Sequence, residues 1–199
     1  MKTILIFVLS FLFITNTSKL YSQYTDIEKT GLLLILQEEK VAYDFYSAMF
    51  EKYNHVVFQN VMSAEKTHQE HVMSLIKELN IDATGVSQNA GEFSDKDIIY
   101  MFDLLMRTGN SSFTDALLAS ARYEEKDISD LRKNYSNAEN ETIKALYNCL
   151  DKASQNHLKA FVKNLKKEGI SYKPTELSQE AFNLIIENKN QESDCFKTN

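Results

Sequence analysis

The stretch VFQNVMSAEKTHQEHVMSLIKEL, Val57 to Leu79, decides how the chain folds. Phe58, Val61, Val72, Leu75 and Leu79 recur at steps of three and four once positions 65 and 68 are included, which is the stripe of an amphipathic helix. Those two positions hold Glu65 and His68. A carboxylate and an imidazole therefore sit in the apolar stripe, one turn apart on one face. A helix that buries this stripe buries both groups with it.

Working outward, the same pattern recurs. Thr25 to about Tyr53 carries Leu32, Ile35, Ala42, Tyr46 and Met49 on one face, with Glu39 among them. Beyond a polar loop, Asn80 to Asp95, a short helix is expected over Lys96–Arg107, ended by Gly109-Asn110. A third long helix, Ser112 to about Lys133, places Leu117, Ala121, Ile128 and Leu131 inward with Glu124. Ser136 with Glu139 three residues on reads as a capping box for a fourth long helix running to Lys167, which Gly169 closes. That helix faces Ile143, Leu146, Leu150, Phe161 and Leu165 inward, with Ser154 and His157 in the series. A last short helix, Gln179–Ile186, follows Ser178 as N-cap, and residues 188–199 are polar and expected to be disordered.

Composition agrees. The 199 residues contain 5 Gly and 1 Pro, too few breakers for a sandwich, a barrel or a Gly-loop nucleotide fold. With 22 basic against 28 acidic residues the formal charge is −6, which argues against nucleic acid as a partner. The chain reads as all-α: two helical hairpins joined by one long crossover that carries a short helix, plus a short C-terminal helix. That is the connectivity of ferritin-like four-helix bundles.

Met1 to Ser22 reads as a secretory signal, with Lys2 at the start, an apolar run from Ile4 to Ile14 and a more polar stretch ending in the small residue Ser22. The run is too short to span a bilayer, which needs about 20 residues, so no stable membrane insertion is expected. The domain division is then 1–22 signal, 23–187 bundle and 188–199 tail, with the mature protein periplasmic or extracellular. Cys149 and Cys195 read as one buried thiol and one loose thiol in the tail, with a bond between them as the alternative; neither falls on the stripe that carries the polar groups.

Each long helix thus drives ionisable groups into the bundle. A buried unpaired carboxylate costs several kcal/mol, so three of them demand compensation. A pair of divalent cations supplies it, since carboxylates bridge hard or borderline metals and imidazole suits iron, manganese or zinc. Di-metal carboxylate bundles take one Glu from each of two helices and Glu-x-x-His from each of the other two. Glu39 and Glu124 fit the single-Glu roles, and Glu65 to His68 is one complete Glu-x-x-His. The second half-motif is Ser154 to His157, with its Glu missing, and Asp127 is placed to supply the lost oxygen. Taken singly, each group has an ordinary explanation: Glu124-Glu125 as a solvated rim pair, His157 as a satisfied core histidine, His55 and His71 as structural or surface residues, the Tyr and Phe stripes as core. Four helices misplacing ligand-type residues at one depth is harder to explain.

The blocks Gln37 to Tyr46, Phe58 to Val61 with Ala64 to His68, Asp115 to Leu117 with Glu124 to Ile128, and Asn156 to Phe161 resemble the ferritin-like family called domain of unknown function 2202, over about residues 27–186. The spacing from Glu39 to Ala42 and Tyr46 is also similar to the first helix of rubrerythrins. The resemblance implies a rubrerythrin-like fold with metal at the bundle centre and no settled activity. The chain departs from rubrerythrins at Ser154 and lacks a Cys-x-x-Cys rubredoxin module. The expectation is an exported di-metal protein, with iron favoured over manganese or zinc. Its ligands are Glu39, Glu65, His68, Glu124, Asp127 and His157, and it oxidises iron or reduces peroxide or dioxygen. A non-enzymatic metal store and a metal-free helical binding module are the alternatives, and a homodimer is compatible with either.

Overall fold

The computed structural model describes residues 24–188. The expected signal segment, the tail beyond Asn188 and Cys195 lie outside the described residues. Six helices follow in order: α1 (Asp26–Tyr53), α2 (Val56–Glu78), α3 (Lys96–Gly109), α4 (Phe113–Asn137), α5 (Glu141–Lys167) and α6 (Gln179–Glu187). No strand occurs among the described residues, and none of these helices is long and apolar enough to cross a membrane.

Local chemistry sets the ends. Thr25 accepts from the Glu28 amide while the Glu28 carboxylate accepts from the Thr25 amide, a reciprocal cap on α1. The chain reverses at Asn54, which adopts the left-handed conformation (φ 47°) that Asn tolerates better than most residues. His55 then caps α2 by accepting from the Val57 amide. Gly169 follows α5 at φ +78°, the expected glycine stop.

Two local expectations are corrected. Ser136 and Glu139 form no capping box, because α4 continues through Asn137 and Asn140 caps α5 by accepting from the Thr142 and Ile143 amides. The Ser136 hydroxyl instead bonds back to the Arg132 carbonyl at 2.9 Å. Glu28 is the reason the turn shifts: one carboxylate oxygen takes the amides of both Glu139 (2.8 Å) and Asn140 (2.6 Å). Gly109 does end α3, but not through a left-handed conformation. A Cβ there would stand 2.7 Å from both Met49 Sδ and Phe45 Cε2, so glycine is required by the close approach of α3 to α1.

These contacts also fix the directions of the helices. The α4–α5 turn sits at the N-terminal end of α1 through Glu28. The start of α4 sits at the other end, where Tyr53 donates to the Gly109 carbonyl and Lys52 to that of Asn110. So α4 runs against α1 and α5 runs with it. The crossover must then climb the whole bundle, and α3 does so while packing on α1 and α4. The buried Lys40–Asp44 ion pair (2.7 Å) pins the crossover, with Asp44 accepting from the Gly91 amide and Lys40 lying over the Phe93 ring.

Two apolar clusters fill the bundle. One is built around Phe45, Tyr46, Phe58, Leu117 and Phe161, the other around Leu32, Ile35, Val72, Leu75, Leu131 and Leu150. Burial of each such side chain stabilises the fold by about 1.5–3 kcal/mol. The clusters take opposite halves of each long helix. On α1 the break falls at Glu38 and Glu39, on α2 at Glu65 and His68, on α4 between Ile128 and Leu131, just past Glu124 and Asp127, and on α5 at Ser154 and His157. A polar layer at a single depth divides the core.

Candidate metal centre

Within that layer Glu65 is central. Its Oε2 lies 2.7 Å from His68 Nδ1 and its Oε1 lies 2.9 Å from His157 Nδ1. His68 Nδ1 is also 3.2 Å from Glu39 Oε2, and His157 Nδ1 is 3.5 Å from Glu124 Oε2. The two imidazoles stack with centroids 5.5 Å apart and planes within 21°. One turn of α2 thus presents a carboxylate to both rings, while α1 and α4 each add a flanking carboxylate. All five residues are buried.

The arrangement resolves into two overlapping groups, Glu39–Glu65–His68 and Glu65–Glu124–His157, each with one ligand atom per residue within 4.8 Å of the others. Glu65 belongs to both. The donor set is three carboxylates and two imidazole nitrogens, a mix that suits first-row transition metals. Protein contacts leave part of it unsatisfied. Glu39 Oε1 has no hydrogen-bond partner, and His157 Nδ1 lies at hydrogen-bond distance from Glu65 without hydrogen-bond alignment. Buried polar atoms are almost always satisfied, and a cation held between these groups would satisfy both. The residues of each group could hold a metal ion.

Asp127 is buried beside the layer but lies outside both groups. Its Oδ2 accepts a 2.6 Å hydrogen bond from Ser154, the residue standing where the second Glu-x-x-His would have its Glu. His55 caps α2 and packs on Phe113 at 4.9 Å, His71 is half-buried outside the groups, and Cys149 is half-buried on α5 away from them.

Several buried groups around the layer were not legible as such. Tyr46, assigned only to the core, donates a 2.5 Å hydrogen bond to Glu124 Oε1 and so fixes that carboxylate. Glu38 is buried too. Its Oε1 accepts from Lys126 at 2.5 Å, Lys126 also pairs with Asp130, and Tyr123 donates to the Glu38 carbonyl at 2.6 Å. Glu125 is no solvated rim residue: it is fully buried and accepts from the amides of Thr175, Glu176 and Leu177, tying the segment before α6 to α4. Lys126 and Asp130 have the spacing of a helical ion pair, the one available hint; the partners of Glu125 lie some fifty residues away, beyond any local pattern.

The electrostatics follow from burial and closeness. Burial opposes charge on Glu65, but the flanking His157 and His68 hold it well below the ordinary carboxylate range. Burial and the Glu65 charge push Glu39 up to about 8, against the pull of His68. Burial also raises Glu124. Burial disfavours the charged imidazoles, yet Glu65 and Glu124 lift His157 to about 9, and Glu65 and Glu39 lift His68 well above its usual range. Burial, then Glu39, Glu124 and Glu38, push Asp127 well up. Without a cation this layer is held together by protons, and protons are what a metal would displace.

Four long helices around a mid-depth layer of buried Glu and His define an all-helical bundle protein with residues that could hold metal. The chain belongs to the family described as "Uncharacterized protein domain (DUF2202)", which matches residues 28–189. A relative, the "Uncharacterized protein MJ0754" of Methanocaldococcus jannaschii, is 36% identical over 159 residues, 80% of this chain and 86% of the relative. The crystal structure of the hypothetical protein MJ0754 from Methanococcus jannaschii DSM 2661 matches with a TM-score of 0.82 at 34% identity, covering 84% of this chain and 95% of that one.

Proposed function

We propose that the protein is a ferritin-like di-metal carboxylate protein whose centre holds two transition-metal ions, iron first among the candidates, and reacts with peroxide or dioxygen. The observation that carries the reading is the sharing of Glu65 between two three-residue groups, each completed by one His and one further Glu. Glu39, Glu65 and His68 would hold one ion, and Glu65, Glu124 and His157 the other. Iron held there in its reduced state would supply the electrons for reducing a small oxidant.

The chain's own residues do the rest. Glu65 fixes the spacing of the two groups from a single helical turn. Tyr46 holds Glu124 in one orientation. The apolar clusters above and below exclude bulk water, which strengthens every charge interaction inside. Asp127, with Ser154 donating to it, keeps a further carboxylate oxygen beside the layer in place of the missing Glu.

A metal-free polar core has one observation in its favour, the His–Glu ion pairs that already link the layer. It leaves Glu39 Oε1 unaccounted for. The discriminating experiment is metal analysis of purified wild-type and His68→Ala protein, followed by anaerobic iron loading and addition of peroxide. Two ions per chain, a sharp loss in His68→Ala and peroxide consumption in proportion to bound iron support the reading. Metal content at background in both proteins after loading would remove it. Export belongs to the same proposal, and intact mass of the native protein should show a chain beginning at or near Gln23.

A further inference from the structure

Between α1 and α4 a row of carboxylates runs from the surface towards the polar layer. The Tyr123 hydroxyl donates to the Glu38 carbonyl and holds the two helices together at this level. The Lys126 ammonium lies between Glu38 Oε1, at 2.5 Å, and the Asp130 carboxylate. Side-chain exposure falls from 40% at Lys126 and 25% at Asp130 to 2% at Glu38, so the three mark a path inward. Asp127 is the next carboxylate, buried and one turn from Asp130 on α4. Burial, then Glu39, Glu124 and Glu38, push its carboxyl up, so it stands within reach of all three charges. Glu39 and Glu124 belong to the two groups of the layer.

Two features set this row apart from an ordinary surface ion pair. Glu38 Oε2 is buried with no hydrogen-bond partner, although the other oxygen of the same carboxylate is paired. A buried carboxylate oxygen left open is a place for a cation. The Lys126 ammonium shows that a cation already fits at the mouth. The second feature is Asp127, a buried carboxylate that belongs to neither group. The row does not close into a third group of ligands among the described residues. Single carboxylates completed by water hold a divalent cation loosely, which suits passage and not storage.

The other seams do not lead acid to acid. Helix α5 carries Lys152, Lys159, Lys163, Lys166 and Lys167 with no acid between them, which repels a cation approaching over the α2–α5 seam. The groove between α1 and α2 is lined by Lys66 and Lys77 with Glu70. On the α4–α5 side Asp151 pairs with Arg132, and Glu125 is taken by three amides.

We propose that the seam between α1 and α4 is the port through which divalent cations reach the layer, with Asp130, Glu38 and Asp127 as successive stations and the Lys126 ammonium holding the mouth until a doubly charged ion displaces it. The inference rests on the metal-binding reading of the layer.

The test is the rate at which metal-free protein takes up Co(II), read by stopped-flow quenching of tyrosine fluorescence, with final metal content measured separately. The chain has no Trp, and Tyr46 and Tyr123 lie beside the layer, so the signal reports arrival there. Asp130→Asn and Glu38→Gln should each load about tenfold more slowly, and Lys126→Gln about threefold faster, while all reach two ions per chain. A purely structural ion pair is broken alike from either side, so opposite signs are the signature of a port. The wild-type rate should also fall as salt rises from about 0.01 to 0.15 M, where the screening length shrinks from about 30 to 8 Å, and fall less in Asp130→Asn. If Glu38→Gln does not fold, Asp130→Asn, at a part-exposed position, carries the same arm. Two ions taken up at one rate by all the proteins, or slower loading in Lys126→Gln, overturns the port and leaves metal binding at the layer standing. A wild type that takes up no Co(II) overturns both.

Discussion

Glu65→Gln removes the charge at the middle of the layer while keeping its shape. In protein stripped of metal, Glu65 is the carboxylate 2.7 Å from His68 and 2.9 Å from His157. Burial disfavours the His157 cation, but Glu65 and then Glu124 raise it from 6.5 to about 9. At about 1.4 kcal/mol per unit this is about 3 kcal/mol of stability from one imidazole. One-sided loss of a buried ion pair costs about 3–5 kcal/mol in general, which agrees. The sign follows from the direction of the shift. A histidine raised on folding contributes fully below 6.5, and the contribution is lost as pH rises through about 9. Urea unfolding of the two chelator-treated proteins should therefore show Glu65→Gln less stable by about 3–5 kcal/mol at pH 6, with the gap narrowing as pH rises through about 9 and the His157 share is lost. A gap below about 1 kcal/mol, or one equally large on either side of that pH, would refute the charge assignment of the layer.

Ser154→Glu restores the second Glu-x-x-His beside Asp127; it should bind metal at least as tightly as wild type, yet lose several kcal/mol in the chelated state, read by titration calorimetry and urea unfolding. Glu28→Ala leaves the Glu139 and Asn140 amides without their acceptor and should cost about 1–3 kcal/mol. Burial raises the Glu28 carboxyl, but the amides of Asn140, Thr25 and Glu139 hold it below 4.5, so this loss should fade as pH falls beneath that value, which acid-dependent melting can follow. Gly109→Ala forces a methyl against Met49 and Phe45 and should destabilise by about 1–3 kcal/mol with metal content unchanged.

Helix periodicity carried most of this architecture. Phe58, Val61, Val72 and Leu75 mark a stripe at steps of three and four, and residues at one depth on four such stripes must meet when the stripes pack together. Glu39, Glu65, His68, Glu124 and His157 were legible for that reason: a charged group in an apolar stripe stands out against its own neighbours. The misreadings have a common cause. The start of α5 is decided by Glu28, more than a hundred residues away, which takes the amides that a cap at Ser136 would have needed. Glu125 looks like a surface acid until the backbone of residues 175–177 folds over it. Tyr46 looks like any core aromatic, since only its hydroxyl and the orientation of Glu124 reveal its role. Periodicity reports which face is buried; it says nothing of which distant backbone or side chain will meet that face.

The most direct measurement is an anomalous-scattering map from crystals of metal-loaded protein, recorded on both sides of the absorption edge of the loaded metal. The account predicts two peaks per chain, one among Glu39, Glu65 and His68 and one among Glu65, Glu124 and His157, with Glu65 touching both. A map without peaks at the layer, and with the His68–Glu65 and His157–Glu65 ion pairs intact, would contradict it.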